Sequence, residues 1–399
     1  MRILMVLLAA LVLGVAPARA DEAKLSAELD AFEQLTLWRD AAGTAAGGAV
    51  PTGVIVRWNR ALRVRVVGRS SSNERASTLK FLRQAGEIAG LAVTIEDGEG
   101  SGENFKIEFF PEYSAPPMLQ SAGCLTRYWN TGGALTRVEL YIRSGIRDFD
   151  RCVSHEMLHG FGIPAHPHNL RSVMSYTQQS LSEYTQIDID ALRTLYHPSI
   201  TPGMFHLAAM VAARKVIAER LGMIPAGGDA NALARPVMDQ SVARLRKLAE
   251  GNDRTAAIAA TQLSIAYLSG HYVGIDRAEA GRYIRLGADR GAPEAQFAAG
   301  LMMSERGNPI RDDQAAVVYL EKAAAQNHAG AMFALAGLLA SGRGREADPV
   351  AAYAWYMLAA ARNVPGAATA RDNLSANLSA AQLAEAKSRA EKLLPQPAR

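Results

Sequence analysis

The chain lacks most of the features that would assign it to a membrane or to a nucleic acid. After residue 20 no segment approaches the roughly 18 uninterrupted apolar residues of a spanning helix, which argues against a membrane-embedded protein. Neither sign of charge dominates, with 43 Lys and Arg against 39 Asp and Glu, and the basic residues are scattered singly. No stretch interleaves them with stacking aromatics, so a phosphate-tracking surface is not expected. Cysteine is nearly absent: only Cys124 and Cys152 occur in 399 residues.

The one apolar run lies at the start. Arg2 precedes Ile3 to Val15, and Ala18-Arg19-Ala20 forms a small-x-small cleavage site. At about 13 residues the run is too short to span a bilayer, and no Cys at the cleavage site offers a lipid anchor. The expectation is a signal peptide over residues 1–20 and a periplasmic or secreted protein. In such an oxidising compartment Cys124 and Cys152 read as one disulfide. A bridge closing a loop of this length contributes on the order of 3 kcal/mol. A free Cys124 thiolate capping a metal is the other reading of that residue.

The chemistry concentrates in residues 155–166, HEMLHGFGIPAH. On a helix His155 and His159 lie on one face a turn apart. Glu156 between them can reach a water held by a metal that both imidazoles bind. Zinc takes neutral nitrogen ligands in a tetrahedral set, and a catalytic site keeps three protein ligands and one open position. Its water loses a proton near neutral pH and attacks a carbonyl, with the Glu as general base. Gly160 and Gly162 end the helix and permit a left-handed turn back under the metal. His166 and His168 follow as candidates for the third ligand. A plainer account exists for each residue: paired His can be satisfied by backbone carbonyls, and Met174 and Tyr176 can be packing residues.

With Ser172-Val173-Met174-Ser175-Tyr176 downstream, the pattern resembles the metzincins, zinc endopeptidases with HExxHxxGxxH and a methionine turn. The resemblance implies His155, His159 and His166 as zinc ligands and Glu156 as the base. It implies Met174 as an apolar floor under the metal and Tyr176 as the oxyanion's hydrogen-bond partner. One departure is plain: the pattern's third His would stand at position 165, which is Ala165. His166 comes one residue late, an insertion that an irregular segment can absorb, and His168 stays open as the alternative. Ile187 to Leu192, continuing through Leu195-Tyr196, resembles the family's C-terminal helix. Arg137 to Ile142 resembles the edge strand that binds extended substrate through main-chain hydrogen bonds. The layout is also similar to an uncharacterised family of bacterial secreted proteins with a degenerate zincin-like core.

Periodicity supplies the organisation. Leu25, Leu29, Phe32 and Leu35 have helical spacing and lead to a linker within residues 21–50, either a pro-segment or a packing helix. Strands are expected in Val54 to Val67, Leu91 to Ile95, Phe105 to Phe110 and Val138 to Ile142. Helices are expected at Thr78 to Ile88 and Asp148 to Gly160. Together these predict an α+β zincin-like domain over 51–198, a twisted sheet plus a metal-binding helix. Residues 199–255 read as a helical connector. Beyond it Ala259, Ala295, Ala331 and Ala367 recur every 36 residues, as do Asp276, Asp312 and Asp348, and Tyr283, Tyr319 and Trp355. Three series at one period signal an all-α solenoid of helix pairs. It resembles the Sel-like branch of the TPR superfamily over 256–394, with a terminal capping helix from Asn373 to Leu394.

The expected function is a zinc-dependent metallopeptidase of the cell envelope whose repeats bind a substrate or protein partner. The alternative is a catalytically inactive adaptor that acts through the repeats.

Overall fold

A computed structural model describes residues 20–40, 49–51, 54–96, 102–175, 181–308, 311–362 and 364–393. The expected signal peptide up to residue 19 and Tyr176 lie outside these residues. The chain divides into two compact units, Met1–Ser241 and Val242–Arg399. The expected connector at 199–255 is therefore shared between the two.

The first unit opens with helix α1, residues 20–36. Its spaced Leu25, Leu29, Phe32 and Leu35 are all fully buried, which makes it a packing helix. A two-stranded antiparallel ribbon follows, β1 (Trp38–Asp40) with β2 (Ala49–Pro51). The main sheet has five strands: β3 (Leu62–Gly68), β4 (Val93–Glu96), β5 (Phe105–Phe110), β6 (Cys124–Thr131) and β7 (Ala134–Arg143). Their order is β4-β3-β5-β7-β6, parallel except for the β6–β7 hairpin, so the sheet is mixed.

Alternation builds its core. Leu62 and Val64 on β3, Phe105, Ile107 and Phe109 on β5, and Val138, Leu140 and Ile142 on β7 are buried every second residue, as the pleat requires. The register sets Phe105 opposite both Val64 and Val138, which aligns these side chains on one face. Each buried apolar side chain contributes about 1.5–3 kcal/mol.

Helix α2 (Ser72–Ala89) crosses between the parallel β3 and β4, with Phe81, Leu82 and Ala85 buried. It begins six residues before the expected Thr78, because Ser71 and Glu74 form a capping box that apolar periodicity does not register. A short helix α3 (Pro117–Ala122) leads into β6. Helix α4 (Phe149–Gly160) carries the HExxH residues and packs on α2, β6 and β7. Helices α5 (Gln186–Leu195), α6 (His206–Arg220) and α7 (Arg235–Ala249) follow, and the division between the units falls within α7.

One strand expectation is corrected. Arg137 to Ile142 is not at the edge: β7 is paired on both sides, by β5 and β6. The edge is β6, which folds back along β7 through Gly132-Gly133. Both glycines have positive φ (55° and 83°), the two-residue turn that suits the twist of a hairpin.

The second unit is a run of antiparallel helices: α8 (Arg254–Ser269), α9 (Arg277–Asp289), α10 (Pro293–Ser304), α11 (Asp313–Ala325), α12 (Ala329–Ser341) and α13 (Pro349–Ala361). Ala259, Ala295, Ala331 and Ala367 are fully buried. The Asp series has a local cause: Asp276, Asp312 and Asp348 cap α9, α11 and α13, each accepting from backbone N–H groups of the first turn. The expected terminal helix is two helices, α14 (Ala367–Ser375) and α15 (Ala380–Leu393), and only the second begins beyond Asn373.

Candidate metal centre

Helix α4 presents His155 and His159 on one face, and the chain after it returns a third imidazole. Gly162, with φ of +90°, makes that return: a Cβ there would lie 2.1 Å from the Val56 carbonyl oxygen. From Ile163 to Pro167 the backbone is irregular, and this segment delivers His166. The Nε2 of His166 lies 3.0 Å from the Nε2 of His155 and 3.0 Å from that of His159. These three form a group able to hold a metal ion, with ligand atoms all within 4.8 Å of one another. A zinc held at about 2.0–2.1 Å by tetrahedral nitrogens separates them by roughly 3.3 Å, so the donor set has the right size. His168 is exposed and stands outside the group.

The far side of two imidazoles is fixed by backbone. His155 Nδ1 donates to the Val173 carbonyl at 2.8 Å, and His159 Nδ1 donates to the Ile163 carbonyl at 2.7 Å. With the proton on Nδ1, each Nε2 turns a lone pair toward the centre, the arrangement a metal ligand requires. Burial keeps all three rings neutral. It holds His155 and His159 down to about 4, with the His159 charge adding to the shift at His155. His166 falls to about 2, through burial and then the other two imidazoles.

Glu156 points its chemistry the other way. Burial raises its carboxyl above the ordinary range, against the pull of His155 and of hydrogen bonds from Thr126. Thr126, on the edge strand β6, also donates its hydroxyl to the Glu156 backbone carbonyl at 2.7 Å. The edge strand and the helix are thus joined at the residue between the two ligands.

A disulfide adds a second join. Cys124 at the start of β6 is bonded to Cys152 in the first turn of α4, with Cα atoms 5.8 Å apart. Met174 is fully buried in the turn Ser172–Ser175. Asp188 holds that turn: its carboxylate accepts from the Ser172 hydroxyl and from Val173 N at 3.2 Å, while also capping α5 through Thr185. Asp188 lies outside the HExxH motif, and its sequence signal is the capping box Thr185-x-x-Asp188. The Val173 and Ile163 carbonyls have no signature, since any residue supplies one. At the far end of α4, Trp58 Nε1 donates to Gly160 O at 2.9 Å, and Arg57 caps α5 through the Leu195, His197 and Ile200 carbonyls.

Comparison with protein families finds a separate match in each unit. The model described as "Protein of unknown function (DUF2927)" matches residues 27–213, and the Sel1 repeat model matches 257–291, 293–328 and 329–364. The C-terminal region carries Sel1 repeats. These repeats suggest protein partners. The DUF2927 match carries no activity with it, and a zincin-like fold is not among what it establishes. Among solved structures, a Sel1 repeat protein from Oxalobacter formigenes is 29% identical, covering 34% of this chain and 98% of its own, at a TM-score of 0.30. A protective antigen of uropathogenic Escherichia coli displaying an SLR fold is 20% identical, at a TM-score of 0.29. That match covers 49% of this chain, which spans 50% of the antigen's length. A comparison with curated proteins finds no match. Among the described residues no helix is long and apolar enough to cross a membrane.

Proposed function

We propose that the first unit is a zinc-dependent metallopeptidase and that the Sel1 repeats bind its substrate or a protein partner. The observation that carries this reading is the convergence of the His155, His159 and His166 Nε2 atoms while backbone carbonyls hold the opposite nitrogens of the first two. Surface or packing histidines have no need of a shared point, and three neutral lone pairs at one point fit a zinc ion. Zinc, when bound, would polarise the scissile carbonyl and acidify the attacking water.

The protein's own part is proton transfer and positioning. Glu156, its carboxyl raised by burial, is suited to take a proton from water and pass it to the leaving amine. An extended peptide added to β6 would lie along the strand that Thr126 joins to Glu156. By its resemblance to the metzincins, Tyr176 is the expected oxyanion donor. A periplasmic or secreted location completes the proposal, supported by the Cys124–Cys152 disulfide, which oxidising compartments preserve.

The test is a zinc measurement on purified protein paired with hydrolysis of a peptide panel. Wild type should hold about one zinc per chain and cleave, whereas Glu156→Gln should keep the zinc and lose cleavage by about a hundredfold or more. Equal, non-zero turnover in the two proteins would remove this site as the catalyst. Zinc without any cleavage would favour the second reading, an adaptor acting through its Sel1 repeats.

A further inference from the structure

Beside the candidate metal centre lies a cleft of about 360 Å³ whose arginines take no part in the proposed hydrolysis. It is lined by Arg143 from the end of β7, Arg147 and Asp148 from the following loop, Arg151 from α4, and His155 and Glu156. Three arginines thus line one small space. Among the described residues, no ion pair or side-chain hydrogen bond is found for these three. Elsewhere Arg63, Arg65, Arg220, Arg343 and Arg389 each meet a carboxylate. The Nε atoms of Arg143 and Arg151 are moreover buried without an acceptor. A buried N–H left without an acceptor is costly, and crowded like charges repel. A cleft that keeps both is built to be completed by an anion.

We propose that this cleft is a substrate subsite that binds a carboxylate of the peptide next to the bond being cleaved. The proposal rests on the peptidase reading for the words "bond being cleaved", since the cleft opens on His155 and Glu156. The chemistry fits a carboxylate: guanidinium offers paired, coplanar N–H donors that match two carboxylate oxygens. The charge also fits. The three arginines outnumber the carboxyls of Asp148 and Glu156, so the cleft carries an excess of positive charge that a carboxylate offsets. That carboxylate comes from an Asp or Glu side chain or from the free C-terminus of a peptide.

Binding to full-length, zinc-loaded Glu156→Gln protein tests the subsite without turnover. Labelled peptides would be compared by fluorescence anisotropy: one with an internal Glu and an amidated end, one with Gln and a free carboxylate end, and one with Gln and an amide. The Glu or free-acid peptide should bind at least about tenfold tighter than the neutral one, a preference that fades with salt. Arg143→Gln and Arg151→Gln should each erase most of it, and the exposed Arg147→Glu should weaken it without threatening the fold. Asp148 makes no side-chain cap bond to α4, so Asp148→Asn should strengthen acidic binding several-fold, an effect that misfolding does not produce. Which acidic peptide wins identifies the source of the carboxylate. Equal binding of all three peptides overturns the subsite and leaves the peptidase reading intact. A strong acidic preference in a protein whose wild type cleaves nothing would instead sink the peptidase reading.

Discussion

At the scale of single residues, the centre depends as much on the groups behind the imidazoles as on the imidazoles. The sequence points to His166 with His168 as the alternative, and the irregular return after Gly162 brings only His166 to the other two. His166→Ala should therefore abolish zinc retention through dialysis, and His168→Ala should leave it unchanged; the reverse pattern would sink the assignment. Asp188 gives a subtler case. Its carboxylate collects the Ser172 hydroxyl, Val173 N, Thr185 N and the Thr185 hydroxyl, and so fixes the turn whose Val173 carbonyl receives His155. Asp188→Asn keeps the shape and turns one acceptor into a donor against N–H groups. A weakening of zinc affinity by about 10–100-fold is expected, the usual cost of disturbing a group behind a metal ligand. Competition with a chromogenic chelator measures it, and an unchanged affinity would mean the turn is held without Asp188.

At the scale of elements, legibility followed the strength of the local signal. The solenoid helices were plain because three residue series repeat at one period, and the Asp series repeats because it caps a helix in every unit. Asp312 accepts from Gln314 N at 3.1 Å and Ala315 N at 3.0 Å. Asp312→Ala should lower the stability of the repeat unit by about 1 kcal/mol, read as a drop in urea midpoint. Asp372→Ala should have almost no effect, because that exposed residue pairs with Arg371, its neighbour on the same helix. Helix α4 was equally legible from HExxH. Strand β6 was not: Arg127, Tyr128, Trp129 and Asn130 are all exposed, so it lacks the buried alternation that marks a strand. Missing β6 made β7 look like the edge. The hairpin signal was present in Gly132-Gly133, and it was the only local cue to a strand that faces solvent. The edge strand also explains why the centre's surroundings were hard to foresee, since Thr126 meets Glu156 only through the sheet pairing.

At the scale of the molecule, the position of the boundary between the units has a physical cause inside the first one. Glu33 on α1 is buried to within 1% of its surface and accepts hydrogen bonds from the Ser241 hydroxyl at 2.9 Å and Trp38 Nε1 at 3.2 Å, with His206 Nε2 also 2.9 Å away. Ser, His and Glu in contact are a familiar catalytic set, but this one is sealed from solvent and is therefore a structural clasp between α1, α6 and α7. Arg220 on α6 adds a second clasp, reaching Asp190 on α5 and Glu28 on α1, each at 2.5 Å. A fragment ending at Pro198 would lose His206, Arg220 and Ser241 together. Glu33 would then keep only Trp38 of these partners in an apolar setting, and breaking such a buried set costs about 3–5 kcal/mol. That is a large share of the 5–15 kcal/mol that holds a domain folded. A fragment ending at Gly251 keeps both clasps and all of α7. It should be soluble, melt cooperatively and bind zinc like the full chain, while the fragment ending at Pro198 should aggregate or melt far lower. Within the longer fragment, Glu33→Gln should reproduce part of the loss without any truncation. Should the fragment ending at Pro198 instead match the longer one in melting temperature and zinc content, the clasps would be dispensable and the first unit would end before α6.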